Sequence, residues 1–249
     1  MATQEKKIVV AFDAYGTLLS TESIAEKLAE HFGHDKAQTI AAAWRKYQLE
    51  YTWRLNSMSC YEPFSTVTAN ALHHALAEAG ESLSAAAIAA LMDAYDSLSV
   101  FPDVPPCMRA LASSTSITPV VFSNGTPAMV SNSVQRSPDL APLAGVFADI
   151  VSVDDVRMYK PAPEVYAYLA SRVGKTSEEM GHVWLVSGNP FDVTGARACG
   201  MKAAWVDRQG NGWQDSLGGD KWKPSVVLKG LDELPKVLEE ASSEGDCSR

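Results

Sequence analysis

The sequence is poor in cysteine, and its few cysteines form no recognisable pattern. Cys60, Cys107, Cys199 and Cys247 are scattered over 249 residues, and none of them lies in a C-x-x-C pair. This spacing favours neither a zinc site nor a disulfide framework, so we interpret the four as free thiols in a reducing compartment. The first strand is predicted too close to the start of the chain for a secretory signal, and we expect a cytoplasmic protein.

Positive charge and long apolar runs are scarce as well. Lysine and arginine number 21 against 30 aspartates and glutamates, which gives a net charge of -9. This balance argues against a nucleic-acid partner, and an anionic ligand must be held by a few local cations. No uncharged apolar run reaches the ~18 residues that a membrane span needs, so we expect no membrane partner.

The secondary-structure signals fall into two blocks. Lys7 to Phe12 is a short β-branched run typical of a buried strand. Residues 21–98 are rich in Ala, Leu, Glu and Lys at helical spacing, which predicts four consecutive helices with no strand between them. After a proline-rich joint, "VFPDVPP", strands and helices alternate to the end of the chain. This alternation predicts a parallel sheet with right-handed crossovers.

The predicted fold is therefore α/β, a Rossmann-like parallel sheet with helices on both faces and an all-helical cap inserted after the first strand. We assign residues 1–19 and 101–241 to the core, 20–100 to the cap, and the small polar residues 242–249 to a disordered tail. Ligands of open α/β sheets bind outside the carboxyl ends of the strands. The insertion would cover that edge.

Polar residues stand where the predicted strands end. Each of these residues, taken alone, can be explained as a helix cap or as a solvated charge. Parallel strands end at one edge of the sheet, however, so these side chains should converge there: Asp13, Ser123, Asn124, Lys160, Ser187, Asn189 and Asp192. That combination suits nucleophilic catalysis by an aspartate, with a lysine that keeps the aspartate ionised and a second aspartate that holds the lysine or orients water.

Four motifs in this order resemble the haloacid dehalogenase superfamily: "DAYGT" (Asp13–Thr17), "FSNGT" (Phe122–Thr126), "YKPAPEVY" (Tyr159–Tyr166) and "VSGNPFD" (Val186–Asp192). Most members are magnesium-dependent phosphatases, with a second aspartate two positions after the nucleophile as general acid. Here that position is Tyr15, and a phenol with a pKa of ~10 is a poor substitute. The tyrosine instead resembles the (S)-2-haloacid dehalogenase (type II) branch, which displaces halide from carbon without a metal or other cofactor.

The resemblance also implies roles for individual residues. The stretch "WRKYQLEYTWRLNSM" is similar to the branch's cap helix and puts Arg45 at the halide-binding arginine, with Asn124 and Phe191 completing a halide cradle. Ser123 would bind the substrate carboxylate, and Asp192 would support Lys160 and the hydrolytic water. Further residues would line or brace the site: Tyr15, Thr17, Tyr166, Ser187 and Asn189.

The last motif departs from the branch. It reads Ser-Gly-Asn-Pro-Phe-Asp, where bacterial dehalogenases usually have Ser-Ser-Asn-Ala-Trp-Asp. We expect this to alter substrate size preference without removing a residue that the chemistry needs.

The sequence thus predicts a hydrolytic dehalogenase that converts small (S)-2-haloalkanoic acids to (R)-2-hydroxy acids through an ester on Asp13. Two alternatives stay open at this point, a magnesium-dependent phosphatase of the same fold and a catalytically idle binder of small carboxylates. A homodimer is also open, since cap-mediated dimers occur in the branch.

Overall fold

A computed structural model describes residues 7–246. In this range six parallel strands form one sheet in the order β3-β2-β1-β4-β5-β6. Their bounds are β1 Ile8–Asp13, β2 Ile117–Ser123, β3 Ile150–Ser152, β4 Val183–Ser187, β5 Lys202–Val206 and β6 Val226–Leu228. The central strands are continuous apolar runs because helices cover both faces of a parallel sheet.

Nine α-helices lie in the same described range. Four lie between β1 and α5: α1 Ile24–Phe32, α2 His34–Ser57, α3 Phe64–Glu78 and α4 Ala85–Tyr95. The others are α5 Val104–Ala112, α6 Pro127–Arg136, α7 Pro163–Arg172, α8 Pro190–Ala198 and α9 Leu234–Asp246. Prolines open α6, α7 and α8, where the missing N–H has no intrahelical acceptor to lose.

The predicted fold class is confirmed, and one local expectation is corrected. The proline-rich joint runs into a helix, α5, that the sequence did not predict; Pro105 and Pro106 fit its first turn, where proline is tolerated. Helix α9 continues to Asp246, and the disorder expected for residues 242–249 stays a prediction. The Ser242 hydroxyl donates to the carbonyl of Leu238, one helical turn earlier. Residues 247–249 lie outside the described range.

The four helices between β1 and α5 belong to a stretch, residues 20–100, that we call the helical segment. The chain enters and leaves it side by side, since the N–H of Ser20 donates to the carbonyl of Ser99 at 2.7 Å. The boundaries of this stretch as a domain stay a prediction. Among residues 7–246, no helix combines the length and the hydrophobicity needed to cross a membrane.

The first strand occupies the switch point of the sheet. β1 is hydrogen-bonded to β2 on one side and to β4 on the other; the chain continues from β1 to β2 and β3 and then crosses back to β4. Such a point opens a crevice outside the carboxyl end of the strand. Asp13 is the last residue of β1 and therefore stands at the floor of that crevice.

Candidate active site

Asp13 is the hub of a buried hydrogen-bond network. One oxygen, Oδ2, accepts from the Thr17 hydroxyl at 2.9 Å, the Ser187 hydroxyl at 3.1 Å and the Asn189 amide at 2.6 Å. The other oxygen, Oδ1, accepts from the Lys160 ammonium at 3.1 Å. The residue is only 6% exposed, so these bonds replace water.

This distribution of donors makes the two oxygens unequal. Three donors saturate Oδ2, whereas Oδ1 has one partner and keeps lone-pair capacity. The turn after β1 brings Thr17 back to Asp13, and Gly16, at a φ of 84°, supplies the left-handed backbone that this turn requires. Of the two carboxylate oxygens, Oδ1 is therefore the one with lone pairs left for a further contact.

Lys160 joins the two carboxylates of the site. Its ammonium contacts Asp13 at 3.1 Å, Asp192 at 2.7 Å and the carbonyl of Phe122 at 2.8 Å, and it lies 4.1 Å from the centre of the Phe122 ring. The lysine is 1% exposed. A buried ammonium is tolerated here because two anions and a carbonyl replace its hydration.

Asp192 is fully buried at the start of α8, and burial raises its pKa to about 6. The Lys160 charge opposes that rise in pKa, the Asp13 charge adds to it, and a hydrogen bond from Tyr166 lowers it again. The Tyr166 hydroxyl donates to Asp192 Oδ1 at 2.7 Å. Asp192 is therefore an anion at neutral pH that takes up a proton in mildly acidic solution.

Tyr15 contributes an apolar wall. Its ring packs 5.7 Å from Phe64 and 5.4 Å from Tyr95, and the buried hydroxyl has no hydrogen-bond partner among residues 7–246. Burial raises the pKa of this phenol well above its usual value, and the nearby Tyr95 and Asp96 add to the effect. The hydroxyl is therefore a poor proton donor, and the polar contacts of Tyr15 pass through its backbone carbonyl.

Arg45 reaches from α2 to the turn that follows β1. One guanidinium nitrogen donates at 3.3 Å to both the carbonyl of Tyr15 and Oδ1 of Asn189. The other donates to Gln48 at 2.7 Å. The structure thus brings Arg45 to an amide that itself binds Asp13, which places a permanent positive charge near the Asp13 carboxylate.

The remaining predicted residues lie around this centre with different partners. The Ser123 hydroxyl accepts from the N–H of Gly125 at 3.0 Å, and Oδ1 of Asn124 accepts from the backbone N–H of Lys160 at 2.9 Å. Phe191 packs edge-on against Trp53, with ring centres 5.6 Å apart. Within the described range, Arg45 is hydrogen-bonded to Asn189 rather than to Asn124.

Gly188, where the branch usually has a serine, allows two turns to pack closely. A Cβ on Gly188 would lie 2.5 Å from the carbonyl oxygen of Gly16, far inside van der Waals contact. The turns that follow β1 and β4 therefore touch through their backbones, directly beside Asp13.

Sequence reasoning missed Gln48, which is fully buried beneath Arg45. Its carbonyl oxygen accepts from Arg45 and from Tyr95, and its amide donates to Thr68 at 2.8 Å. Its position three residues after Arg45, on the same helix face, was the available signal.

In the part of the chain that the structure describes, no group of three or more His, Cys, Asp or Glu side chains is arranged to hold a metal ion. The two site carboxylates, Asp13 and Asp192, are bridged by the Lys160 ammonium instead.

Comparison with known proteins places this site in a family. A family model described as haloacid dehalogenase-like hydrolase matches residues 9–200. The chain is 33% identical over 225 residues to an (S)-2-haloacid dehalogenase of Pseudomonas sp. (strain YL). This alignment covers 90% of this chain and 93% of the relative. It is 36% identical over 199 residues to the (S)-2-haloacid dehalogenase of Xanthobacter autotrophicus, covering 80% of this chain and 74% of that one.

The fold comparison agrees. The structure of L-2-haloacid dehalogenase from Xanthobacter autotrophicus with chloropropionic acid covalently bound superimposes with a TM-score of 0.81 at 29% identity, over 94% of this chain and 98% of that one. The chain therefore belongs to the haloacid dehalogenase-like hydrolases, in the branch of the (S)-2-haloacid dehalogenases.

Proposed function

We propose that the protein hydrolyses small (S)-2-haloalkanoic acids to (R)-2-hydroxy acids through a covalent ester on Asp13, with no metal in the reaction. The observation that carries this proposal is the unequal pair of Asp13 oxygens, with Oδ1 open beside Lys160 and Oδ2 held by three donors. The named activity of the curated relatives supports it, as does the chloropropionic acid bound covalently in the Xanthobacter structure.

In the first step Oδ1 of Asp13 attacks C2 of the substrate from the side opposite the halogen. A carbon–oxygen bond forms, the carbon–halogen bond breaks, and its electron pair leaves with the halide, so the configuration at C2 inverts. Arg45 receives the departing anion, because a guanidinium stays charged and is weakly hydrated. The amide nitrogen of Asn124 and the ring of Phe191 complete the cradle.

A halide leaves without a proton, so this step needs no general acid. That requirement fits Tyr15, whose buried phenol is held neutral. A phosphatase would need an acid at this position to protonate its leaving alcohol. The phosphatase reading is therefore disfavoured, and the curated relatives give it no support.

The substrate carboxylate is assigned to Ser123 and to the backbone N–H groups at the start of α6. The Ser123 oxygen already accepts from Gly125, so its own hydroxyl proton can be donated to the carboxylate. A helix N-terminus provides further N–H donors that favour an anion.

In the second step water attacks the ester carbon, Cγ of Asp13, and Asp192 accepts the proton. Negative charge then develops on Oδ2, where Thr17, Ser187 and Asn189 already donate, so these three form a preorganised oxyanion site. The bond between Cγ and Oδ1 breaks, and Oδ1 departs with the hydroxy acid and takes the proton from Asp192. The water oxygen remains in Asp13, and its second proton is released to solvent, which restores the carboxylate.

We further propose that the helical segment acts as a cap over this site, that the protein works in the cytoplasm, and that it forms a homodimer. Light scattering of the purified protein tests the dimer.

Halide release from (S)-2-chloropropionate and (S)-2-bromopropionate, with EDTA present, tests the activity. We expect turnover by the wild type and none by Asp13→Asn with deamidation excluded by mass spectrometry. Asp149→Asn, a partly exposed aspartate paired with Arg172, is the matched control and should keep wild-type turnover.

No release by the wild type, or undiminished release by Asp13→Asn, would contradict the proposal. Thermal stabilisation by 2-hydroxy acids without any turnover would point to a carboxylate binder instead. Cleavage of p-nitrophenyl phosphate only when magnesium is added would point to a phosphatase.

A further inference from the structure

Asn56, in the last turn of α2, makes a two-point hydrogen bond with a backbone segment 103 residues away. Its amide nitrogen donates to the carbonyl of Tyr159 at 2.6 Å, and the N–H of Tyr159 donates to its amide oxygen at 3.0 Å. A side-chain amide that pairs with both polar groups of one residue fixes the position and the orientation of that backbone.

The residue after Tyr159 is Lys160. The peptide unit between them is held at both ends, because its carbonyl accepts from Asn56 and its N–H donates to Asn124 at 2.9 Å. Asn56 comes from the helical segment, and Asn124 follows β2 of the sheet. The backbone of the site lysine is thus clamped between the two parts of the molecule.

Neighbouring contacts strengthen the same junction. The buried ring of Tyr159 stacks on Tyr61 with centres 5.4 Å apart, and its hydroxyl donates to the carbonyl of Glu62. The Tyr61 hydroxyl donates to Asp154, at the start of the loop that leads to Lys160. Residues 56–62 therefore contact both ends of residues 154–160, which we call the lysine loop.

We propose that Asn56 is a positioning residue: docking of the end of α2 on Tyr159 sets Lys160 between Asp13 and Asp192, so the lysine is aligned only when the helical segment is closed. The kinetic effects expected from this inference rest on the proposed function. The groups that face the ammonium are Asp13 from β1, Asp192 from α8 and the Phe122 carbonyl from β2, with Tyr166 of α7 bonded to Asp192 behind them.

The test uses two variants, Asn56→Ala and Asn56→Leu. Both remove the two hydrogen bonds to Tyr159, and leucine also keeps most of the side-chain volume. With (S)-2-chloropropionate we expect kcat to fall about 10- to 100-fold, since small misplacements of catalytic groups cost that much, with KM much less affected. The acidic limb of the pH–kcat profile should move to higher pH, because a displaced ammonium lowers the pKa of Asp192 less.

Asn132 provides the matched control. Its amide donates to Asp96 at 3.0 Å and also joins the core to the helical segment, but it does not touch the lysine loop. Asn132→Ala and Asn132→Leu should change thermal stability to a similar extent and leave kcat and the acidic limb at their wild-type values.

Wild-type kcat and pH profile in folded Asn56 variants would overturn the inference, and so would an equal shift of the limb in the Asn132 variants. Titration of Asp192 followed by carbonyl ¹³C NMR gives the same answer without turnover. An inactive wild type would therefore reject the proposed function alone, while an unshifted Asp192 titration in the Asn56 variants would reject the role of Asn56.

Discussion

At the residue scale, the pKa of Asp192 links the acidic limb of activity to one hydrogen bond. Burial raises that pKa to about 6, and the Tyr166 hydroxyl stabilises the anion. Because the water step needs ionised Asp192, we expect kcat of the wild type to fall as the pH drops through about 6.

Tyr166→Phe removes that hydrogen bond and should move the acidic limb to higher pH. A hydrogen bond to a charged group contributes ~1.5 kcal/mol, which corresponds to roughly one pH unit. Tyr168→Phe is the control, because it lies on the same helix and bonds to Asp155 at the surface. An unmoved limb in Tyr166→Phe would show that Asp192 does not set the acidic limb.

A second prediction at this scale concerns the two steps of the reaction. Ser187→Ala removes one of three donors to Oδ2 of Asp13, and loss of an oxyanion donor slows a reaction about 100-fold. Since Oδ2 becomes the oxyanion only in ester hydrolysis, we expect a burst of halide followed by slow turnover, with the ester detectable on Asp13 by mass spectrometry.

The control for that experiment is Ser137→Ala, a buried serine that caps a backbone N–H away from the site. It should show neither a burst nor an accumulated ester. Equal slowing of halide release and of hydrolysis in Ser187→Ala would argue against a separate oxyanion role.

At the element scale, α2 connects the helical segment to the site through one face. Arg45, Gln48 and Asn56 lie on that face and reach the turn after β1, the interior of the helical segment and the lysine loop. Helical spacing explains why residues three or four apart act together. Helix α2 therefore both connects the helical segment to the sheet and contributes residues to the site.

Gln48→Leu tests this dual role. The substitution leaves the hydroxyl of Tyr95 and one guanidinium nitrogen of Arg45 without their buried acceptor, which should lower the free energy of unfolding by about 2 kcal/mol. Urea unfolding measures this change in the free energy of unfolding. The rate of halide release should also fall, because Arg45 loses its hydrogen bond to Gln48. Gln38→Leu, exposed on the same helix, should leave both unchanged.

At the scale of the whole molecule, the net charge of -9 opposes the approach of an anionic substrate. Raising the ionic strength from about 10 to about 100 mM shortens the Debye length from about 30 to about 10 Å, which screens this repulsion. We expect kcat/KM for (S)-2-chloropropionate to rise about twofold over that range in sulfate. A fall in kcat/KM would indicate that local cations dominate the attraction.

Much of this architecture follows from local pattern. Helical spacing in residues 21–98 and alternation after them predict the fold class, because periodicity reports which face of each element is buried. The strand-end positions predict which side chains meet, since parallel strands end at one edge. Helix α5 was not predicted, because consecutive prolines are typical of a linker, although prolines also fit the first turn of a helix.

By itself, the sequence determined all the strands and every helix except α5, their order and the identity of the residues at the sheet edge, because these depend on local spacing and strand direction. Only the tertiary structure decided which oxygen of Asp13 is open, that the Tyr15 phenol is buried, and that Asn56 binds Tyr159 from 103 residues away. Those features depend on distances between atoms of different elements, which packing of the whole chain sets and no local pattern encodes.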